Sequence, residues 1–575
     1  MNVAVTRMHA WTAAGLGVER LVDALVAGVP LARENPGLPT PIAALTDAPD
    51  VDTLLGEVVA AVLPGGVRRV GLVVGTTSGT ISDSFDAWMR KGAPAEEERA
   101  WRSEPARRCA RRLRLAPVTT VSVACASSTV AFEIGAAWLR AGRCDAVVVA
   151  GVEKHGTYIH AGFAGLGALG PRGARPFAPD RDGLLLGEGA AAFLLEPEGA
   201  TSGPPLAWLL GAATAQDAHH LTAPDPSGAG LAAAARAALA KAGLPPDAVD
   251  AVSAHGTGTL LNDAAEAAAL THVFGGAPVP LHGVKAVVGH CLGAAGAVEA
   301  AVCIAALGGA ALPAPPETPL LRVRAPGRVA TALSVNAAFG GLNAAVVFGA
   351  PSSGSTTTAA GANPAAAEAG PASSAAARRG EGAPLPDPAP GRRLAAVRAR
   401  RLPLDRVWPG APPALGRADR YVRAGVRLCR EIAHALSPDD LLVLTSAADC
   451  RAADHRYYAG ILARGPAGAS RLHFPYTIPG APLAEGSIAA GLHHAAWVLC
   501  GELSPAEAEV LRVGSGARRL VHLRVEAPSD DPGRYAVGEA TVYGAGGVGP
   551  GAAARGGGAG GEEERGGDEA HAASK

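Results

Sequence analysis

From residue 1 to about 350 the chain alternates short β-branched runs with Ala/Leu-rich stretches of helical spacing, a pattern that predicts helices layered on sheets. Strands are predicted at Val70–Val74, Ala146–Ala150 and Val249–Ala254. Helices are predicted at Leu231–Ala242 and Ala294–Leu307, each closed by a glycine, Gly243 or Gly308. Runs as apolar as AVVVA imply sheets covered on both faces. From Pro351 to about Gly391 the periodicity stops, and a stretch rich in Ala, Gly, Pro and Ser reads as a flexible tether that cannot bury enough apolar surface to offset chain entropy. Patterning resumes with helices near Asp419–Leu436, Ala453–Leu462 and Ala484–Leu492 and strands at Leu441–Thr445 and Leu520–Val525. After Tyr543 a Gly/Glu-rich tail is expected to be disordered.

The length of 575 residues allows several domains and a large core. A formal net charge of −1 supplies no global field for nucleic acid or an anionic membrane, so an electrostatic partner would need a local patch such as Arg107–Arg114, which otherwise reads as a solvated helix face. No window approaches the ~20 apolar residues of a membrane span, and the start lacks a secretion-signal layout, so a cytoplasmic location is expected. Eight cysteines without a C-x-x-C pair argue against zinc and disulfides, and no metal is expected.

One cysteine stands apart. In VSVACASSTVAFEIGAAWLR a strand leads into Cys125 and an amphipathic helix leaves it, with Val130, Ile134, Ala137 and Trp138 on one face. The small neighbours Ala124, Ala126 and Ser127 permit a tight bend. A thiol at a helix N-terminus feels the positive dipole end, which predicts a lowered pKa and a nucleophile. Two histidines share this placement. His255 ends a strand before a Gly/Thr turn, with Asp263 and Glu266 resembling a helix-opening capping box; His290 stands between another strand and helix, with Lys285 just before it. All three then emerge at strand ends, where ligand sites of α/β folds form. GLGALG at 165–170 runs into Pro171 rather than opening a helix, so it is no dinucleotide fingerprint, and PDRDG at 179–183 lacks the remaining ligands of a calcium loop.

ACASS around Cys125, RPFAPDRDGLLLGEGAA at 175–191, HGTGT at 255–259, KAVVGH at 285–290 followed by GAAGAVEA, and NAAFGGLN at 336–343 form an ordered series. It resembles the motif series of β-ketoacyl synthases. The resemblance implies a thiolase-like layered α-β-α-β-α fold from two related halves, 1–245 and 246–350. It implies that Cys125 accepts an acyl chain as a thioester, while His255 and His290 stabilise the enolate formed by decarboxylation of a malonyl-type thioester. It also implies that Lys285 and Glu299 orient and tune the histidines, and that Phe339 is a gate whose N–H joins that of Cys125 in an oxyanion hole. Cys291 matches an apolar packing position. No cofactor is implied, since substrates ride on the phosphopantetheine of an acyl carrier protein, which becomes the expected partner along with a homodimer or a synthase-like heterodimer. Val123 and Ala337 depart from the family's Thr and aromatic at those positions, which bears on tunnel shape and gating.

Following a linker at 351–415, residues 416–543 resemble the amino-terminal portion of the same fold, making a smaller α/β half-copy. Where a nucleophile would fall stands ELSPAEA, and Cys500 comes too early, so the half-copy is expected to be catalytically silent. Its His493–His494 pair reads as surface polarity. The resemblance leaves three roles to weigh: an active elongating synthase in fatty acid, polyketide or polyene biosynthesis, a noncatalytic partner akin to a chain-length factor, and a thiolase-like enzyme acting on coenzyme A esters. Retention of Cys125, His255 and His290 favours the first over the second, and HGTGT with a second histidine disfavours the third.

Overall fold

The structure, a computed structural model, describes residues 1–34, 40–46, 49–66, 68–91, 102–351, 402–403, 425–426, 428–430, 432–437, 439–446, 461, 464, 469, 481–500, 503–526 and 535–544. The linker, apart from 402–403, and the tail beyond 544 lie outside them.

The longer strands are β1 (Val3–Thr12), β2 (Val70–Gly75), β3 (Val118–Val121), β4 (Ala146–Glu153), β5 (Gly189–Pro197), β6 (Ala207–Gln216), β7 (Ala251–Ser253), β8 (Val279–His282), β9 (Thr331–Ala337), β10 (Leu342–Gly349), β11 (Asp440–Ser446), β12 (Ala495–Cys500), β13 (Arg519–Glu526) and β14 (Tyr535–Gly544). The first sheet runs β3-β2-β4-β5-β1, with β2 parallel to β3 and β4, and β5 antiparallel to β4 and β1. The second runs β8-β7-β9-β10-β6 with the same alternation. Two halves of the chain therefore build one plan twice. They join where Val3–Val5 of β1 pairs with Ala207–Leu209 of β6.

The helices that position the site are α1 (Val51–Val62), α2 (Glu104–Leu113), α3 (Ser127–Arg140), α4 (Thr157–Gly165), α5 (Ala229–Ala242), α6 (Leu260–Phe274), α7 (Ala295–Leu307), α8 (Ala481–Ala490) and α9 (Pro505–Ser515). α1 and α2 cover the outer face of the first sheet, α5 and α6 that of the second, and α3 and α7 fill the space between the sheets. This is the five-layer arrangement of thiolase-like proteins. β4 is buried at every residue, as its apolar run from Ala146 to Val152 requires, and it ends in the buried Glu153. α3 is buried from Ser127 to Leu139, so it carries small and apolar residues all round rather than one stripe, with Glu133 as its buried charge. The α3–α7 seam is tight: a Cβ on Gly296 would stand 1.9 Å from Thr129 Oγ1, and one on Gly151 would meet Ala297 and Ser128 at 2.8 Å.

The third unit continues the sheet. β12-β11-β13-β14 repeats the order and directions of β3-β2-β4-β5, and β12 lies antiparallel on β3, with Leu499 opposite Val121 and Cys500 opposite Thr120. Residues 1–544 thus form one compact unit. The strands expected at 441–445 and 520–525 are present and slightly longer, and the helix expected at Ala484–Leu492 begins earlier, at Ala481. Within the helix expected at Asp419–Leu436, residues 425–426, 428–430 and 432 are helical and the rest before 425 is outside the described residues, as is most of Ala453–Leu462. β12, α9 and β14 were not anticipated. Yet α9 carries a readable signal: Ser504 and Glu507 form a full capping box, with Pro505 at the first helical position.

Candidate active site

Cys125 sits in a single 3₁₀ turn, Ala124–Ala126, between β3 and α3. The corner is strained: Ala124 has φ +50°, a left-handed conformation rare for a residue with a side chain. It is held by Ser127, whose Oγ accepts the Val123 N–H at 3.0 Å and donates to the Ala124 carbonyl at 2.6 Å. The second half repeats the device. His290 precedes a 3₁₀ turn, Leu292–Ala294, in which Leu292 has φ +42°, and α7 follows. Glu153, at the end of β4, ties this second corner to the loop after β2 by accepting N–H groups from Thr77, Ser78 and Gly293. This carboxylate was not singled out from the sequence.

The two corners and the β7–α6 loop bring the expected trio together. His290 Nε2 is 3.0 Å from Cys125 Sγ, and the His255 and His290 rings meet edge to face with centroids 5.2 Å apart. One ligating atom from each residue lies within 4.8 Å of the others. That spacing would also accept a thiophilic metal ion, which would first have to displace the thiol proton. Cys125 is buried, with 6% of its surface exposed.

His255 has its tautomer set by its neighbours. Its Nδ1 faces two donors, Asn336 Nδ2 at 3.2 Å and Lys285 Nζ at 3.4 Å. An ammonium can only donate, and Asn336 is oriented by Thr129, which donates to its Oδ1, and by Glu299, which accepts from its Nδ2 at 2.8 Å. Nδ1 therefore accepts, the ring proton resides on Nε2, and Nε2–H is the donor left for a ligand. Lys285 and Glu299 form a fully buried ion pair, and Lys285 also donates to the His255 carbonyl. Lys285 and Glu299 thus stand where the resemblance put them. Asn336 lies inside a quoted motif, but its partners come from three distant segments, so no local pattern singles it out.

Burial dominates the electrostatics. It pushes the Cys125 thiol up to about 12, against a small opposing pull from Lys285. The expected dipole-lowered thiol is therefore not the resting state: removing a thiolate from water costs more than a helix end returns. Burial, followed by the charge of Lys285, holds both His255 and His290 well below the ordinary imidazole value, so both are neutral. Burial raises the Glu299 carboxyl, opposed by Lys285 and Asn336.

The capping box expected from Asp263 and Glu266 does not form. Thr259 is the N-cap of α6 and no side chain caps it. Both carboxylates turn inward instead: Glu266 accepts the His255 and Gly256 N–H groups at 2.6 and 2.7 Å, and Asp263 accepts those of Phe177, Thr257 and Gly258. They shape the loop that carries His255. Phe339 lies in the loop between β9 and β10 and stacks on Phe163 of α4, centroids 5.5 Å apart. Cys291 is buried beside the Glu188 carbonyl, consistent with packing. His493 is exposed, as expected, and its ring also bonds the Gln216 carbonyl at 3.2 Å, while His494 is half-buried.

Family models for the β-ketoacyl synthase N-terminal domain and the β-ketoacyl synthase C-terminal domain match residues 60–200 and 206–317. A 3-oxoacyl-[acyl-carrier-protein] synthase 2 of Mycobacterium bovis is 37% identical over 257 residues, 41% of this chain and 61% of that protein, so the alignment spans less than two thirds of this relative. The solved structure titled the ishigamide ketosynthase/chain length factor is 28% identical, with a TM-score of 0.55 over 61% of this chain and 99% of its own. One titled PfaC Keto synthase-Chain length factor shares the fold alone, at 15% identity and a TM-score of 0.67, over 94% of this chain and 78% of its own. Residues 60–317 thus match, in order, the models of both β-ketoacyl synthase domains, on a thiolase-like scaffold.

Proposed function

We propose that the protein is a 3-oxoacyl-[acyl carrier protein] synthase, joining an acyl thioester to a malonyl-type thioester with loss of carbon dioxide, in fatty acid or polyketide biosynthesis. The observation that carries this reading is the meeting of Cys125 Sγ, His255 and His290 at the ends of three separate segments. A thiol held protonated by burial needs a base at hand, and His290 Nε2 is in contact with it. As sulfur attacks the acyl carbonyl, the thiol proton passes to His290 and then to the departing carrier thiolate, leaving acyl-Cys125 and neutral His290. In the second half-reaction the malonyl carboxylate leaves as carbon dioxide and its electron pair becomes an enolate. The His255 Nε2–H donates to the enolate oxygen, with His290 beside it. The enolate carbon then attacks the acyl carbonyl, the C–S bond to Cys125 breaks, and the thiolate takes a proton to restore the thiol. Neutral imidazoles suit this task, since they donate without offering a full positive charge that would trap the carboxylate.

The N–H groups of Cys125 and Phe339 serve the tetrahedral intermediates, and the phosphopantetheine arm of an acyl carrier protein delivers both substrates. The test is covalent labelling: the purified chain should acquire radiolabel from an acyl-carrier thioester, and Cys125→Ala should acquire none. Equal labelling of that variant would remove the mechanism.

A further inference from the structure

The strand order β14-β13-β11-β12-β3-β2-β4-β5 reads the same from either end once copies are matched, because β12 holds the place in its unit that β3 holds in the first sheet. Two copies of a sheet that meet edge to edge across a two-fold axis give such an order, with the same strand contributed by each. Here a single chain makes the meeting. β3 is an edge strand of the first sheet, and an unpaired edge is a template for another chain. We propose that the C-terminal half-copy occupies the position of a second synthase subunit, closing the β3 edge within one polypeptide, so that the protein does not pair with another copy along this edge.

The contact has the chemistry of a permanent interface. The Ser122 N–H donates to the Val498 carbonyl at 3.1 Å, continuing the β3–β12 ladder. Behind it α3 packs on α9, the helix in the corresponding place of the half-copy. The two approach so closely that a Cβ on Gly514 would stand 2.0 Å from the Ala137 carbonyl oxygen. Trp497 of β12 is fully buried, and its Nε1–H donates to Glu133 Oε2 of α3 at 2.9 Å, while Lys241 takes the other carboxylate oxygen at 2.8 Å. A carboxylate that is 5% exposed needs both partners, and one comes from the half-copy. The Ala496 N–H bonds Thr214 Oγ1, and Arg143 pairs with Glu507 at 3.1 Å. On the site side, a Cβ on Gly340, next to Phe339, would touch Ala484 of α8 at 3.3 Å. The half-copy therefore braces both the strand that leads to Cys125 and the loop that carries Phe339. The half-copy would stand where the second subunit of the expected homodimer or synthase-like heterodimer would stand, and the inference is independent of the condensing chemistry.

The test uses the register. Thr120 faces the native Cys500 across the β3–β12 pair, within the Cα separation a disulfide spans. Oxidised Thr120→Cys full-length protein should stay at its chain mass of 57.2 kDa on a non-reducing gel and yield a linked 120–500 peptide. A disulfide joining position 120 of one chain to position 120 of another, or an introduced thiol at 120 that stays unoxidised, overturns the proposal. Intact mass at rising concentration adds a second reading: a dimer that still carries the 120–500 link associates through another face and leaves the proposal standing. Should the substitution impair folding, hydrogen exchange of the unmodified chain decides. Protection of the Ser122 amide should be independent of protein concentration, and protection that grows with concentration would assign β3 to a second copy.

Discussion

Replacing Asn336 by aspartate reverses the hydrogen bond that fixes which nitrogen of His255 carries its proton. In the native site Asn336 donates to Nδ1 at 3.2 Å and Lys285 faces the same nitrogen at 3.4 Å, so Nε2 keeps the hydrogen. A carboxylate at 336 accepts instead, draws the proton to Nδ1, and turns a lone pair toward the place of the enolate oxygen. Losing one such donor costs roughly 10²–10³ in rate, about 2.7–4 kcal/mol of transition-state stabilisation. The second half-reaction should bear this loss, read as decarboxylation of a malonyl-carrier thioester. Acylation of Cys125 in a single-turnover assay should change only a few-fold, because His255 does not touch the thiol. Asn336→Ala is the control. It deletes bonds to Thr129, Glu299 and His255 but installs no acceptor, so it should lose about 1–3 kcal/mol of stability yet decarboxylate at least tenfold faster than the aspartate variant. Equal decarboxylation by the two variants, with both folded by thermal melting, would refute the tautomer argument.

Acid should destabilise the fold before the carboxylates titrate. Burial holds His155 at about 3 and His160, His282 and His522 at about 4, with His255 and His290 also well below the ordinary 6.5. These rings stay neutral in the folded chain while the unfolded chain binds protons below about 6.5. Stability is thus full above that value and falls as pH drops toward 4, by about 1.4 kcal/mol per pH unit for each fully buried ring. Denaturant midpoints equal at pH 7 and 5 would contradict this. Glu266 acts with the opposite sign: burial, then Asp263, raises its carboxyl to about 8, so its contribution is full below about 4.5 and is lost as pH rises from there through 8. Glu266→Gln should flatten that decline between about pH 4.5 and 8 in the same titration. Trp497→Ala should cost about 3–5 kcal/mol in equilibrium unfolding, since it opens a cavity and leaves Glu133 Oε2 without its N–H partner. A loss below about 1 kcal/mol would mean the half-copy contributes little to the fold.

The sequence made the trio legible because Cys125, His255 and His290 each stand at a strand end beside small residues, and such junctions are local features. What it concealed is what tertiary contact decides. Asn336 and Glu153 are ordinary polar residues until folding brings three chain segments to the first and two to the second. The Cys125 thiol was read from the dipole of α3, a term visible in sequence, whereas the larger burial term depends on the surrounding layers. Asp263 and Glu266 have the spacing of a cap, but their carboxylates serve the HGTGT loop because its buried N–H groups have greater need of an acceptor. β12 and α9 lie in a stretch that holds no Cys-Ala-Ser bend. Its SPAE signal announces a helix start whether or not a cysteine precedes it.

The seam between α3 and α7 has a practical consequence for anyone wishing to change which acyl groups are accepted. Gly296 sits against Thr129 and Gly151 against Ser128 and Ala297, and the same two helices begin at the bends holding Cys125 and His290. Enlarging any residue along that line would wedge the sulfur away from the imidazole. Mutant libraries should leave it untouched and diversify Ile159 and Leu184, which share the apolar cluster that includes the thiol.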